Sequence, residues 1–320
     1  MINPDVVHLF WVNSSFMKVE TLRQFKKPII WTLHDMWPFT GGCHYDDECG
    51  RFRQSCGLCP ILGSASNHDL SRQIWERKQQ SWRDVPIVVI ATSHWLAEIA
   101  KASTLFKDKR IEVIPNGLDT AKYKPFDKRA AREVYGLPQD KNLILFSAMG
   151  VTLDKRKGSH LLYPALKKIA QAGWGERTEL VVIGATTPAN PPDLGMKVHY
   201  MGQLHDEISQ ILLYSAADAT VAPSTQENLS NTVMESLSCG TPVVAFNIGG
   251  MPDMIDHQSS GYLARAFEPD DLAAGIVWVL EDKVRHEVIS RQARKTVEER
   301  YAIEAIAHRY LALYQDVISG

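Results

Sequence analysis

Short runs rich in β-branched and apolar residues alternate along this chain with longer stretches whose apolar positions recur at helical spacing. In the first third, residues 6–12, 29–33, 85–91 and 110–114 read as buried strands. Helical spacing falls between them over 16–25, 71–82 and 95–102. Alternation of this kind predicts a doubly wound parallel sheet. Segment 119–140 breaks the pattern with Pro125, Gly136, Pro138 and a high density of charge. It reads as a connection followed by the first helix of a second domain. A fresh series then runs through 143–148, 179–184, 198–201, 219–222, 242–246 and 261–263. Long amphipathic stretches follow from Asp270 to the end, with no short-period repeat and no low-complexity tract. The pattern therefore predicts an α/β protein with two Rossmann-like domains over 1–125 and 126–300. A last helix, 301–320, is expected to pack back on the first domain.

Composition narrows the function classes. The 320 residues carry 35 Lys and Arg against 37 Asp and Glu, so bulk charge gives no case for nucleic acid or an acidic partner. No apolar run approaches the roughly 18 to 20 residues that span a bilayer. The opening M-I-N-P-D-V-V-H-L-F has no basic region or cleavage site, and cytoplasmic residence is the expected default. One helical stretch carries Ile74, Trp75, Arg77, Lys78, Trp82 and Arg83. It reads either as a peripheral anchor at an inner membrane face or as core packing by its tryptophans. Four of the five cysteines, Cys43, Cys49, Cys56 and Cys59, crowd into one loop beside His44. They read either as a structural zinc site or as a set of reduced thiols. Cys239 reads as core.

The stretch from Pro223 to Gly250 says most about chemistry: P-S-T-Q-E-N-L-S-N-T-V-M-E-S-L-S-C-G-T-P-V-V-A-F-N-I-G-G. A buried strand runs through a polar turn into a short helix that ends at Gly240, and a second buried strand follows. A helix opening after a parallel strand offers free N–H groups and a positive dipole end to a phosphate. Glu227 and Glu235 bracket that opening with seven residues between them. Along a helix this spacing would set them roughly 12 Å apart, about the reach from a ribose across a diphosphate to a sugar. Carboxylates that accept from hydroxyls, with an anion site between them, describe a nucleotide-sugar pocket.

The two glutamates and the following S-C-G-T-P-V-V-A-F-N-I-G-G resemble the donor-site signature of family 4 retaining glycosyltransferases of GT-B fold. Thr32-Leu33-His34-Asp35, Ala91-Thr92-Ser93, Ile114-Pro115-Asn116-Gly117-Leu118-Asp119 and Arg156-Lys157-Gly158 fit the same family in order and spacing. The resemblance implies two domains facing a cleft and transfer of a hexose from a UDP-sugar, UDP-glucose or similar, to a glycan or lipid-linked acceptor. Exopolysaccharide or cell-envelope assembly is the implied setting. It also implies that the first domain lacks opening strands and a glycine-rich acceptor loop. An exposed sheet edge would then favour self-association.

By resemblance Lys157 meets the diphosphate, with Arg156 beside it and the backbone of Leu229, Thr232 and Val233 offering N–H groups. Glu227 accepts from the donor sugar, next to Asn228, and Glu235 from the ribose. The base lies near Met201 and Gly184. His34 orients sugar and phosphate, Ser93 and Asn116 touch donor or acceptor, and Gly249 and Gly250 let the backbone come close to the anomeric region or the acceptor. The family commonly has an arginine about six residues before the lysine, where this chain has Val151. No Asp-x-Asp pair is present to hold a metal, so cations are expected to stabilise the leaving group with no cofactor at the diphosphate. Two rival readings are a UDP-sugar 2-epimerase and a donor-binding protein with only hydrolytic activity.

Overall fold

The computed structural model describes residues 3–14, 16–147 and 154–319. Position 151 and the end of the predicted strand 143–148 lie outside these residues. The chain divides into two compact units, Met1–Asn116 with Ile306–Gly320, and Gly117–Ala305.

In the first unit the strands are β1 (Val7–Leu9), β2 (Ile29–Leu33), β3 (Ile87–Ala91) and β4 (Arg110–Val113). They pair in parallel in the order β1-β2-β3-β4. Residue parity sorts the two faces, as pleating requires. Ile29, Trp31, Leu33, Ile87, Val89 and Ala91 join one apolar cluster with Leu96 and Phe106. Ile30 and Ile90 join another with Ile114, Ile306 and Leu313. The final helix, Ile303–Ser319, thus covers the second face of this sheet. His8 ties it down further, its ring nitrogens lying 2.6 Å from Tyr314 Oη and 2.8 Å from Thr32 Oγ1.

Two expectations for this unit change. Residues 6–12 form a strand only to Leu9; beyond it the Phe10 carbonyl accepts from Trp31 Nε1 at 2.8 Å, and Ser14 takes a left-handed turn at φ 52°. The predicted helix over 16–25 is a six-residue 3₁₀ turn, Val19–Gln24. Val19 and Thr21 are β-branched, and the Val19 carbonyl accepts from Trp82 Nε1 at 2.7 Å. That same contact decides the reading of helix Leu70–Trp82. Trp75 and Trp82 are buried and pack in the first unit, so the tryptophans do not present a membrane anchor. Among the described residues no helix is long and apolar enough to cross a membrane.

In the second unit the strands are β5 (Asn142–Ser147), β6 (Thr178–Ile183), β7 (Val198–Tyr200), β8 (Ala219–Ala222), β9 (Val243–Phe246) and β10 (Gly261–Ala264). All pair in parallel, in the order β10-β9-β8-β5-β6-β7. The sheet grows one way from β5 and then reverses, which makes the gap between the C-terminal ends of β5 and β8 its topological switch point. Leu143, Leu145 and Val181 face one core cluster, and Ile144, Phe146 and Val182 the other.

The division between units falls at 116/117, upstream of the expected 125/126. Tyr123 is buried in the core of the second unit. Leu118 donates to the Tyr301 carbonyl at 2.8 Å and accepts from Ile303 at 3.0 Å. Gly117 is needed where these two passes of chain meet, because a Cβ there would lie 2.9 Å from Ile303 Cα.

Candidate functional site

The switch point of the second sheet gathers the chain's most specific side chains. After β5 the chain enters a short 3₁₀ turn, Lys155–Lys157, capped by Asp154. Gly158 ends the turn at φ +71° and starts helix Ser159–Ile169. A Cβ on Gly158 would lie 1.8 Å from the Pro223 carbonyl oxygen, so only glycine lets this loop pack against the loop leaving β8. Thr225 N–H donates to the Arg156 carbonyl at 2.8 Å and extends the contact. Across it Lys157 Nζ stands 3.2 Å from Glu227 Oε2, the lysine part-exposed and the glutamate largely buried.

Glu227 lies in the loop between β8 and helix Asn231–Ser238, not on the helix. The helical rise estimated for the two glutamates therefore does not describe their separation. Its backbone is held from the other side. Gly250 N–H donates to the Glu227 carbonyl at 3.1 Å, and a Cβ on Gly249 would stand 2.0 Å from that same oxygen. Gly249 and Gly250 thus brace the Glu227 backbone.

Glu235 sits on the helix, half-buried, and its Oε2 accepts from Tyr214 Oη at 2.9 Å. Burial pushes its carboxyl up to about 7, against the opposing effect of the Tyr214 hydrogen bond. Thr232 also lies against the Tyr214 hydroxyl. Tyr214 is the residue that pattern reading missed. It projects from helix Glu207–Ala216 into the core, and a buried phenol needs a polar partner. That requirement was the available signal.

The remaining candidates divide. Arg156 Nε and a terminal nitrogen donate to the Asp154 carboxylate at 3.1 and 2.8 Å. Val233 is fully buried and its N–H faces the Ser230 cap at 3.4 Å, so its side chain and this amide serve the fold. Leu229 joins the core, and Asn228 is buried. Gly184 donates to the Gly202 carbonyl at 2.7 Å and Met201 to the Val182 carbonyl at 2.9 Å. Those two amides hold the ends of β6 and β7 together. Cys239 is core, as expected.

In the first unit His34 follows β2 directly. Burial lowers its pKa, with the Asp35 charge opposing. Asp35 accepts from Trp37 N–H and lies 2.7 Å from His44 Nδ1. Ser93 is buried and caps helix His94–Ala102, accepting from Leu96 N–H at 3.1 Å. Asn116 closes this unit and is part-exposed. Cys43, Cys49, Cys56 and Cys59 all line one cavity. Among the described residues, though, no three His, Cys, Asp or Glu side chains stand in the arrangement that would hold a single metal ion.

Known proteins share this architecture. The family described as Glycosyl transferases group 1 matches residues 127–296, and Glycosyltransferase Family 4 matches residues 2–122. A D-inositol 3-phosphate glycosyltransferase of Segniliparus rotundus is 28% identical over 221 residues, covering 66% of this chain and 48% of that protein. The N-acetyl-alpha-D-glucosaminyl L-malate synthase of Bacillus anthracis is 24% identical over 243 residues, covering 72% and 60%. The chain spans about half the length of the first of these curated relatives. Among solved structures, sucrose-phosphate synthase from Thermosynechococcus elongatus has a TM-score of 0.74 at 23% identity, covering 98% of this chain and 74% of that one. Anabaena Alr3699/HepE in complex with UDP-glucose has a TM-score of 0.64 at 21% identity, covering 91% and 73%.

Proposed function

Because the chain belongs to the group 1 glycosyl transferases, we propose that it transfers a hexose from a UDP-sugar, UDP-glucose or similar, to a glycan or lipid-linked acceptor with retention of configuration. The observation that carries this reading is the Lys157–Glu227 pair at the switch point, with Glu235 on the helix beyond it. Doubly wound sheets bind ligands at that place. Lys157 supplies a cation for the departing diphosphate, and Glu227 accepts from hydroxyls of the sugar as positive charge grows on its ring. The acceptor's proton passes to the leaving phosphate oxygen on the same face as the new bond forms. No divalent metal is required at the diphosphate in this reading, since the sequence lacks an Asp-x-Asp pair.

A panel of UDP- and GDP-sugars, with free nucleotide and free sugar both measured, tests the assignment. Release of UDP together with free or transferred hexose supports it. Release of UDP with a 2-epimerised sugar, or binding without any release, overturns it.

Two variants separate the glutamates. Glu227→Gln removes the charge that faces Lys157 at 3.2 Å, which leaves the ammonium free for phosphate. UDP affinity is expected to hold or rise while turnover falls at least about tenfold, a loss confined to the transition state. A parallel loss of affinity in calorimetry would contradict this.

Glu235 makes donor binding depend on pH. With a carboxyl raised to about 7, the group is partly protonated at neutral pH. Ribose hydroxyls donate to the ionised form, so binding favours loss of the proton. UDP affinity should therefore be full above that pKa and fall as pH drops through it, from about pH 8 to about pH 6. Glu235→Gln keeps an acceptor for Tyr214 and is expected to lose this contribution to the slope. The phosphate of UDP titrates equally in both proteins. Identical slopes would remove Glu235 from the ribose.

A further inference from the structure

The segments that leave β1 and β2 carry side chains that the donor chemistry does not use. β1 ends at Leu9 and β2 at Leu33, on neighbouring parallel strands. Doubly wound sheets take their ligands beyond such C-terminal ends. Phe10, Trp11 and Phe16 are 51%, 55% and 76% exposed there, while Val12 between them joins the core. Single exposed apolar residues are ordinary surface, but three aromatic side chains in one short segment make a patch that marks binding.

Two of these rings are paired with imidazoles. The ring centres of Phe10 and His34 are 6.3 Å apart with 17° between their planes, and those of Trp11 and His44 are 6.4 Å apart with 29°. His44 is held in turn. Its Nδ1 stands 2.7 Å from Asp35 Oδ2, and the other oxygen of that carboxylate accepts from Trp37 N–H at 2.8 Å. A carboxylate only accepts, so in the neutral ring Nδ1 carries the proton and Nε2 is left as an acceptor. Asn13 Nδ2 approaches Nε2 at 3.5 Å, long for a hydrogen bond. Asn13 is itself buried, and its Oδ1 meets no donor among the described residues. An unpaired buried acceptor is a group that a bridging water or a bound hydroxyl completes.

We propose that this surface binds a neutral saccharide, its ring against Trp11 and Phe10 and one of its hydroxyls donating to His44 Nε2. A pyranose has an apolar C–H face, whose hydrogens suit the negative face of an aromatic ring, and a rim of hydroxyls. Charge decides against other occupants. Asp46, Asp47 and Glu48 follow His44 in the same loop, the last two exposed, and they oppose a phosphate-bearing ligand or an anionic lipid surface. If the chain is a transferase, the bound sugar is its acceptor, which therefore presents a pyranose to this unit. That step rests on the transferase reading, whereas saccharide binding itself does not.

Saturation-transfer NMR on the full chain tests this with the methyl pyranosides of glucose, galactose, mannose and N-acetylglucosamine. At least one is expected to receive saturation, most strongly at its ring C–H protons. Trp11→Ala and His44→Ala should each weaken its binding, roughly tenfold for the tryptophan, the scale of one aromatic contact. Phe126→Ala, which alters an exposed aromatic of the second unit, should leave it unchanged. Both altered side chains of the first unit are about half exposed, and circular dichroism checks that each variant is folded. In transfer from UDP-glucose to the sugar that binds, Trp11→Ala should raise KM for that sugar and not for the donor. No saturation of any of the four sugars, or equal saturation in Trp11→Ala, overturns the proposal. So does wild-type protein that sediments with phosphatidylglycerol vesicles through Trp11 and binds no sugar. Calorimetry with UDP is read separately: sugar binding without UDP binding would sink the donor assignment and leave this one standing.

Discussion

Replacing Lys157 with alanine is expected to lower turnover roughly 100- to 1000-fold, the range seen when one preorganised group for a developing charge is removed. The magnitude follows from its position. Lys157 reaches the switch point from the loop after β5, and the neighbouring Arg156 is committed to Asp154, so it does not back up the lost charge. The loss should appear mainly in kcat, because the diphosphate gains charge only as the sugar departs. Part of the effect has a second origin: Glu227 is largely buried and loses the cation 3.2 Å away. Pairing Lys157→Ala with Glu227→Gln in a double-mutant cycle separates the two contributions. Wild-type activity should survive EDTA, and magnesium should not rescue the alanine variant. A kcat within about twofold of wild type would remove Lys157 from the leaving-group site. Loss of wild-type activity in EDTA with recovery on adding magnesium would show that a metal carries the diphosphate.

The largest effect on stability is expected at Gly158. Alanine there must adopt φ +71° and place its Cβ 1.8 Å from the Pro223 carbonyl oxygen, a backbone atom that cannot swing aside. The left-handed conformation alone costs about 1 kcal/mol, and the clash forces the loops after β5 and β8 apart. A loss on the order of 3 kcal/mol is expected, which for a unit of this size lowers the melting temperature by roughly 6 to 12 °C. Gly136→Ala is the control. It shares a left-handed backbone, at φ +61°, but nothing stands within 4 Å of its Cβ. It should lose only about 1 kcal/mol. Equal losses at the two positions, measured by thermal unfolding, would mean that the Gly158–Pro223 approach does not matter. UDP affinity should fall with Gly158→Ala and stay unchanged with Gly136→Ala, since only the first disturbs the Lys157–Glu227 pair.

The ten strands among the described residues fall on stretches picked out in the sequence, most of them because parallel strands covered on both faces are continuous apolar runs bounded by turn residues. β2 and β6 are buried along their whole length, and they are also the clearest such runs in the chain. Pattern alone also found the helix Leu70–Trp82 and the two glutamates beside a helix start. It overreached where a single contact intervened. The 3₁₀ turn Val19–Gln24 answers to an indole 63 residues away, and no local propensity encodes that partner.

The candidate site shows the same division residue by residue. Composition and motif order singled out Lys157, Glu227 and Glu235, because charge in a switch-point loop is visible as charge in a sequence. The partners of those groups were not visible. That Arg156 turns to Asp154, that Ser93 caps a helix, and that Gly249 and Gly250 brace the Glu227 carbonyl are facts of close packing between loops distant in the chain. The sequence by itself determined the strand series, the division into two α/β units and the residues able to carry charge, since hydrophobic period and side-chain chemistry are local properties. Only the tertiary structure decided which charges are paired, which N–H groups are spent and why Gly158 must be glycine. Each of those depends on distances of a few ångströms between segments far apart in the chain, set by the order in which β8 returns beside β5.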